Sequence, residues 1–365
     1  MSFKADSRHE VLATLQRWPG SAMVVAICLL LALLAVAVQA QTSPSIPASP
    51  GATGVGHPDS VPNAAPAPQS SGATTAPPAD EQAPANDSVF VFKKEVQEVM
   101  LHATVVDNQR RLVTNLDRAA FTVFEDGEAQ KTTSFHRDDV PVAMGIVIDN
   151  SGSMREKRDK VNQAVINLIK ASNPNDEIFV VNFSKDSYLD QDFTSDINLL
   201  QQALHKVSAQ GSTALYDAIV ASAVHLKNNT RVDRKVLLVV TDGRDNASQE
   251  TLQQAARRLQ QENGPTLYAI GLLSDELQQS GIDALQSLAD SSGGVAFFPK
   301  ALDEVDEITR TVARDIRSQY TIGYKPTKPR ENGGYRAIEV RAQAAGYRKL
   351  TVRTRSGYYS GETVR

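Results

Sequence analysis

The sequence predicts an α/β protein: a doubly wound, mostly parallel sheet, with a small β module built from the segments that flank it. Three observations predict this. From Pro141 onward, apolar strand-like runs alternate with amphipathic helical stretches, the pattern of a parallel sheet with right-handed crossovers. Two of the runs, "FVVNF" at 179–183 and "VLLVV" at 236–240, are almost continuously apolar, as strands covered on both faces are. On either side of this region the pattern becomes alternating and β-branched, the signal of half-buried strands.

Taken in order, residues 1–40 read as a signal peptide or signal anchor. Lys4, Arg8 and Arg17 precede an uncharged apolar run at 21–38, and Val38 and Ala40 stand where a signal peptidase takes small residues. The run is also about long enough to span a bilayer, so retention as an anchor is the rival outcome. In both cases the remainder is expected outside the cytoplasm, touching a membrane only through this segment if it is uncleaved. Residues 41–86 are rich in Pro, Ala, Ser and Gly with few large apolar side chains. Such a stretch buries too little surface to offset its ordering entropy and reads as a disordered linker.

The segment 87–139 reads as β-rich, with a strand at 99–107 and a hairpin over 121–135 turning at Asp126-Gly127. Within 140–318 strands are expected at 142–148, 177–183, 236–241, 266–272 and 295–298. Helices are expected at 156–171, 197–207, 214–227, 249–261, 282–289 and 302–317. In the first of these, Val161, Val165, Leu168 and Ile169 recur at helical spacing. From 319 to 365 the β pattern returns in "QYTIGYKP", "RAIEVRAQ" and "KLTVRTR". This tail is short for a domain, so its expected partner is the β segment at 87–139.

Composition excludes several functions. The formal net charge is -4 and Lys and Arg are scattered, without a basic patch interleaved with aromatics, so nucleic acid is not an expected partner. The only cysteine, Cys28, lies in the apolar leader, so the exported part has no disulfide and depends on its core or on bound metal. The histidines show no metal-ligand spacing, no phosphate-cradling glycine loop with its lysine occurs, and no nucleophile elbow surrounds a serine.

One stretch does carry chemistry. In "GIVIDNSGSM" an apolar strand ends in Asp149, and Ser151 and Ser153 follow at steps of two, with Gly152 between them to permit the turn. "VLLVVTDG" ends in the same way, with Asp242 before a glycine, and "QGSTALYDA" puts Thr213 just before a helix. Ligands of open α/β sheets bind beyond the carboxyl ends of the strands, where these loops should converge. Singly, each motif is an ordinary turn or helix cap. Together they offer two carboxylates and three hydroxyls, an all-oxygen set suited to a hard divalent cation, with a position left open. Tyr216 and Asp217, just after Thr213, read as a packing residue and a solvated one.

These residues carry a resemblance. D-x-S-x-S at Asp149, Ser151 and Ser153, the loop threonine Thr213 and Asp242 in a T-D-G turn resemble the metal-ion-dependent adhesion site of a von Willebrand factor A domain, over roughly residues 140–318. The flanks resemble those of exported bacterial proteins related to this domain. The resemblance implies a Rossmann-like fold, and Mg²⁺ (or Mn²⁺ or Ca²⁺) bound through Asp149, Ser151, Ser153, Thr213 and Asp242. It also implies a non-enzymatic binding function, in which an Asp or Glu of a protein partner completes the coordination. A metal-assisted hydrolase, or an envelope protein with a merely stabilising metal, are the alternatives. A hydrolase would need a base or nucleophile aimed at the metal, which the motifs do not supply.

Overall fold

A computed structural model describes residues 98–361, apart from 207, 208, 273, 275 and 276. The expected leader and linker lie outside these residues. Among the described residues no helix is long and apolar enough to cross a membrane.

The first flank supplies β1 (Val99–Asp107), β2 (Phe121–Glu125), β3 (Glu128–Gln130) and β4 (Thr132–His136). There follow β5 (Ala143–Asp149), α1 (Arg158–Lys170), β6 (Glu177–Phe183), β7 (Ser187–Thr194), α2 (Ile197–His205) and α3 (Leu215–Asn229). The α/β region continues with β8 (Lys235–Thr241), α4 (Leu252–Leu259), β9 (Thr266–Gly271), α5 (Gln278–Ser292), β10 (Ala296–Phe297) and α6 (Glu304–Arg317). The second flank supplies β11 (Tyr320–Tyr324), β12 (Gly334–Ala342), β13 (Leu350–Arg353) and β14 (Gly357–Ser360).

The central sheet has six strands in the order β10-β9-β8-β5-β6-β7. All pair in parallel except β7, which runs antiparallel to β6. Strand alternation sends Met144, Ile146 and Ile148 of β5 into a core under α1, α2 and α6. Ala143 and Val147 enter a second core under α3, α4 and α5, so the sheet is covered on both faces. The edge strand β7 was not among the sequence expectations. Its stretch "SYLDQDFT" is mostly acidic or polar and none of its residues is buried, so it lacks the apolar run that marked its neighbours.

The flanks form two four-stranded antiparallel sheets, ordered β13-β1-β11-β4 and β14-β12-β2-β3, each drawing strands from both ends of the region. Their facing sides share one apolar core, with Leu101, Val123, Tyr320 and Ile322 at its centre. The Asp126-Gly127 turn has φ of 50° and 82°, the positive pair that a tight two-residue hairpin needs. The hairpin expected over 121–135 is interrupted after β3. The chain leaves one sheet there and enters the other as β4, which pairs with β11.

Candidate metal centre

Topology decides where the two strand-end acids fall. The chain leaves β5 to β6 on one side and returns as β8 on the other, so the strand order reverses between β5 and β8. A crevice opens at such a point beyond the carboxyl ends. Asp149 is the last residue of β5 and Asp242 the first after β8, and both are fully buried.

A chain of hydrogen bonds links them. The Ser151 N–H donates to Asp149 Oδ1 at 2.7 Å, which folds the loop back over the strand end. The Ser151 and Ser153 hydroxyls lie 3.2 Å apart, and Ser153 Oγ donates to Asp242 Oδ1 at 2.7 Å. Ser153 and Met154 belong to a single 3₁₀ turn that begins at Gly152 and leads into α1. Thr213 comes in from the third loop. Its N–H donates to Asn246 Oδ1 at 2.9 Å and its carbonyl accepts from Asn246 N–H at 3.0 Å, which clamps it beside the Asp242 loop. The Gly152 N–H donates to Gly211 O at 3.3 Å, joining the serine loop to the threonine loop. All five expected residues therefore meet at one end of the sheet.

Gly152 is not the residue that makes this possible. It is not among the residues at positive φ, and a methyl group there would meet nothing within 4 Å. The constraint sits at Gly243, where a methyl group would lie 3.2 Å from Thr213 Oγ1. Asp217 also differs from expectation. Instead of a solvated side chain, it accepts from the N–H groups of Gln249 at 3.0 Å and Glu250 at 2.8 Å, pinning the approach to α4.

Several supporting residues carried no sequence signal. Thr241 Oγ1 donates to Asp149 Oδ2 at 2.5 Å, and the Ser274 hydroxyl donates to the Asp242 carbonyl. Lys157 pairs with Asp242 Oδ2. Arg158 is buried behind β5, where its Nη2 donates to Asn182 Oδ1 at 2.7 Å and to Leu204 O at 3.2 Å. Burial lowers its guanidinium to about 10, although Asp149 opposes that shift. These partners lie far away in sequence, so no local pattern could announce them.

The site is electrostatically unequal. Burial pushes the Asp149 carboxyl up from its ordinary range and Asp242 adds to this, while the Thr241 and Ser151 hydrogen bonds pull it down. Its bonded partners are neutral donors, whereas Asp242 has an ammonium. The donors comprise carboxylate and hydroxyl oxygens without sulfur or imidazole, and such a set fits a hard divalent cation. Among the described residues no group of three or more His, Cys, Asp or Glu is arranged to hold a metal.

The fold and this cluster of oxygens define a doubly wound α/β domain with a candidate site at its strand ends. Residues 144–244 match the family model of the von Willebrand factor type A domain, and this part of the chain is such a domain. No curated protein matches the chain in sequence. Among solved structures, the PilB minor pilin from Streptococcus sanguinis is similar at 14% identity and a TM-score of 0.40, over 50% of this chain and 63% of that one. The conserved hypothetical protein BatB from Bacteroides thetaiotaomicron is similar at 17% identity and a TM-score of 0.39, over 47% of this chain and 98% of that one. Proximal thread matrix protein 1 from the mussel byssus, with a zinc occupied MIDAS motif, is similar at 18% identity and a TM-score of 0.44, over 54% and 50%. The chain thus spans less than two thirds of the pilin and about half of the byssus protein.

Proposed function

We propose that this chain is an extracytoplasmic, non-enzymatic binding module that holds a divalent cation and, through it, a carboxylate of a protein partner. The observation that carries the reading is the linkage Asp149–Ser151–Ser153–Asp242, with Thr213 clamped beside it, at the strand-order reversal of a type A domain. Asp149 and Asp242 would supply the negative charge, and Ser151, Ser153 and Thr213 neutral oxygens. Mg²⁺ is the expected ion, with Mn²⁺ or Ca²⁺ as substitutes. When bound, the ion supplies a concentrated positive charge that an Asp or Glu side chain of the partner can satisfy. Hydrogen bonds among Asp149, Ser151, Ser153 and Asp242, with the backbone clamp on Thr213, hold these residues in place beforehand, which lowers the ordering cost of binding.

Binding is favoured over hydrolysis by what the hydroxyls touch. Ser151 and Ser153 are bonded to each other and to a carboxylate, not to a histidine of the kind that activates a hydroxyl nucleophile. The apolar leader at 21–38 and the Pro-rich stretch after it support a location outside the cytoplasm.

The test is thermal melting of the protein with Mg²⁺, Mn²⁺ or Ca²⁺ and with EDTA, beside calorimetric titration. An ion bound only by the native state stabilises it by RT ln(1 + [L]/Kd), about 2.7 kcal/mol at a hundredfold excess over Kd. Asp149→Ala and Asp242→Ala should largely abolish that gain, and Thr213→Ala should weaken it less because water can replace a neutral oxygen. A wild-type protein indifferent to all three ions at millimolar levels in both measurements would refute the reading.

A further inference from the structure

We infer that Lys157 is a built-in competitor for the metal: its ammonium and a divalent cation exclude one another at Asp242, so Lys157 sets how tightly the centre holds its ion. The inference rests on the metal-binding reading above and concerns a residue outside the five-oxygen motif.

Both carboxylate oxygens of Asp242 are engaged by the chain itself, Oδ1 by the Ser153 hydroxyl at 2.7 Å and Oδ2 by Lys157 Nζ. The Lys157 side chain is 22% exposed while that of Asp242 is 0% exposed, so a partly exposed ammonium reaches a fully buried carboxylate. Local structure does not explain the lysine. It stands immediately before α1, where it makes no side-chain capping bond, and the positive end of a helix dipole disfavours a cation there. The Lys157 N–H donates to Met154 O at 2.9 Å, which fixes the backbone from which the side chain reaches Asp242. What compensates the unfavourable position is the ion pair, which gives one of two buried carboxylates a counter-charge. A divalent ion at Asp242 would face a third positive charge at close range in a site poor in water, so the ammonium has to leave.

Two measurements on the full chain test this. The first compares Mn²⁺ affinity, by calorimetry and by the electron paramagnetic resonance signal of free Mn²⁺, in wild type, Lys157→Gln, Lys157→Arg and Lys160→Gln. Lys160 pairs with Asp303 on the surface, so its loss changes the net charge equally but leaves the crevice untouched. Lys157→Gln should bind roughly tenfold tighter or more, the scale of a partly buried ion pair. Lys157→Arg and Lys160→Gln should stay near wild type. In EDTA, Lys157→Gln should melt below wild type, because Asp242 loses its counter-charge. The second measurement needs no variant. Amine-reactive labelling read by mass spectrometry should modify Lys157 several-fold faster with Mn²⁺ than with EDTA, with Lys160 unchanged. If wild type binds Mn²⁺ but Lys157→Gln binds it equally or more weakly, or if Mn²⁺ leaves Lys157 labelling unchanged, the competition is overturned and the metal reading stands. If neither protein binds Mn²⁺ at millimolar levels, the metal reading falls and the competition falls with it.

Discussion

Two glycines beside the centre differ in what their missing side chains permit. At Gly243 a methyl group would press on Thr213 Oγ1 at 3.2 Å, whereas at Gly152 it would meet nothing within 4 Å. Thr213 cannot retreat freely, since Asn246 holds its backbone from both sides. Gly243→Ala should therefore displace one neutral oxygen, lowering Mn²⁺ affinity several-fold, on the order of 1 kcal/mol, with the melting temperature in EDTA almost unchanged. Gly152→Ala should leave affinity as it is. Calorimetric titration of both variants checks this, and a larger effect at Gly152 would contradict it. At this scale the sequence was informative about the five oxygens because each one ends a strand or opens a helix within a short motif. It was misleading about the glycine between the serines, because a glycine in a loop invites a conformational explanation that only the backbone angle can test. The clamps at Thr241, Asn246 and Lys157 were illegible, as each acts on a residue brought near only by the fold.

At the scale of elements, the parallel strands were legible through their apolar runs, and β7 was not, because an edge strand with one solvated side needs no such run. A second feature hidden from the sequence is a buried polar cluster that ties strands of both β sheets together. Glu125 at the end of β2 accepts from the Tyr324 hydroxyl of β11 at 2.5 Å, from the Tyr358 hydroxyl of β14 at 2.9 Å and from Arg336 Nη1 of β12 at 3.1 Å. Burial and the Glu125 carboxylate push the Tyr324 hydroxyl far above its ordinary range, so it stays a donor. Arg336 is further held by Lys328 O at 3.1 Å and Pro329 O at 2.6 Å. A network satisfied on every side is costly to break from one side only. Glu125→Leu leaves a buried guanidinium and two phenols without their acceptor and should cost about 3–5 kcal/mol. Glu125→Leu with Arg336→Leu should recover part of that loss, because no charge is then stranded. Urea unfolding measures both, and a single variant within about 1 kcal/mol of wild type would refute the role given to Glu125.

At the scale of the whole described region, the β module and the α/β sheet fall within one compact unit, and several polar contacts cross their seam. Arg353 pairs with Asp315 at 2.9 Å, Arg234 Nη2 donates to Thr321 Oγ1 at 3.1 Å, and Arg355 donates to Gln261 O at 3.1 Å and Gly264 O at 2.6 Å. Beside these lies a cavity of about 160 Å³, lined among others by Glu98, His102, Asp233 and Arg355. His102 lies 3.3 Å from Thr321 Oγ1 through Nδ1. Burial lowers its imidazole to about 3, with Arg234, Arg355 and Lys235 adding repulsion and a hydrogen bond to the Asp233 backbone opposing it. The sign follows from linkage. A histidine neutral in the folded seam but titrating near 6.5 when unfolded gives the unfolded chain an extra proton at every pH between those values. Its contribution to stability is complete above about pH 6.5 and is lost progressively as the pH falls toward 3. His102→Gln removes the titration while keeping a polar side chain beside Thr321. Between about pH 7.5 and pH 5, wild type should lose on the order of 1 kcal/mol more stability than His102→Gln, since the carboxylates titrate alike in both. Urea unfolding at the two pH values, in EDTA so that metal binding adds no pH dependence of its own, reads the difference. Parallel losses in the two proteins would show that acid loosens the seam through its carboxylates and not through His102.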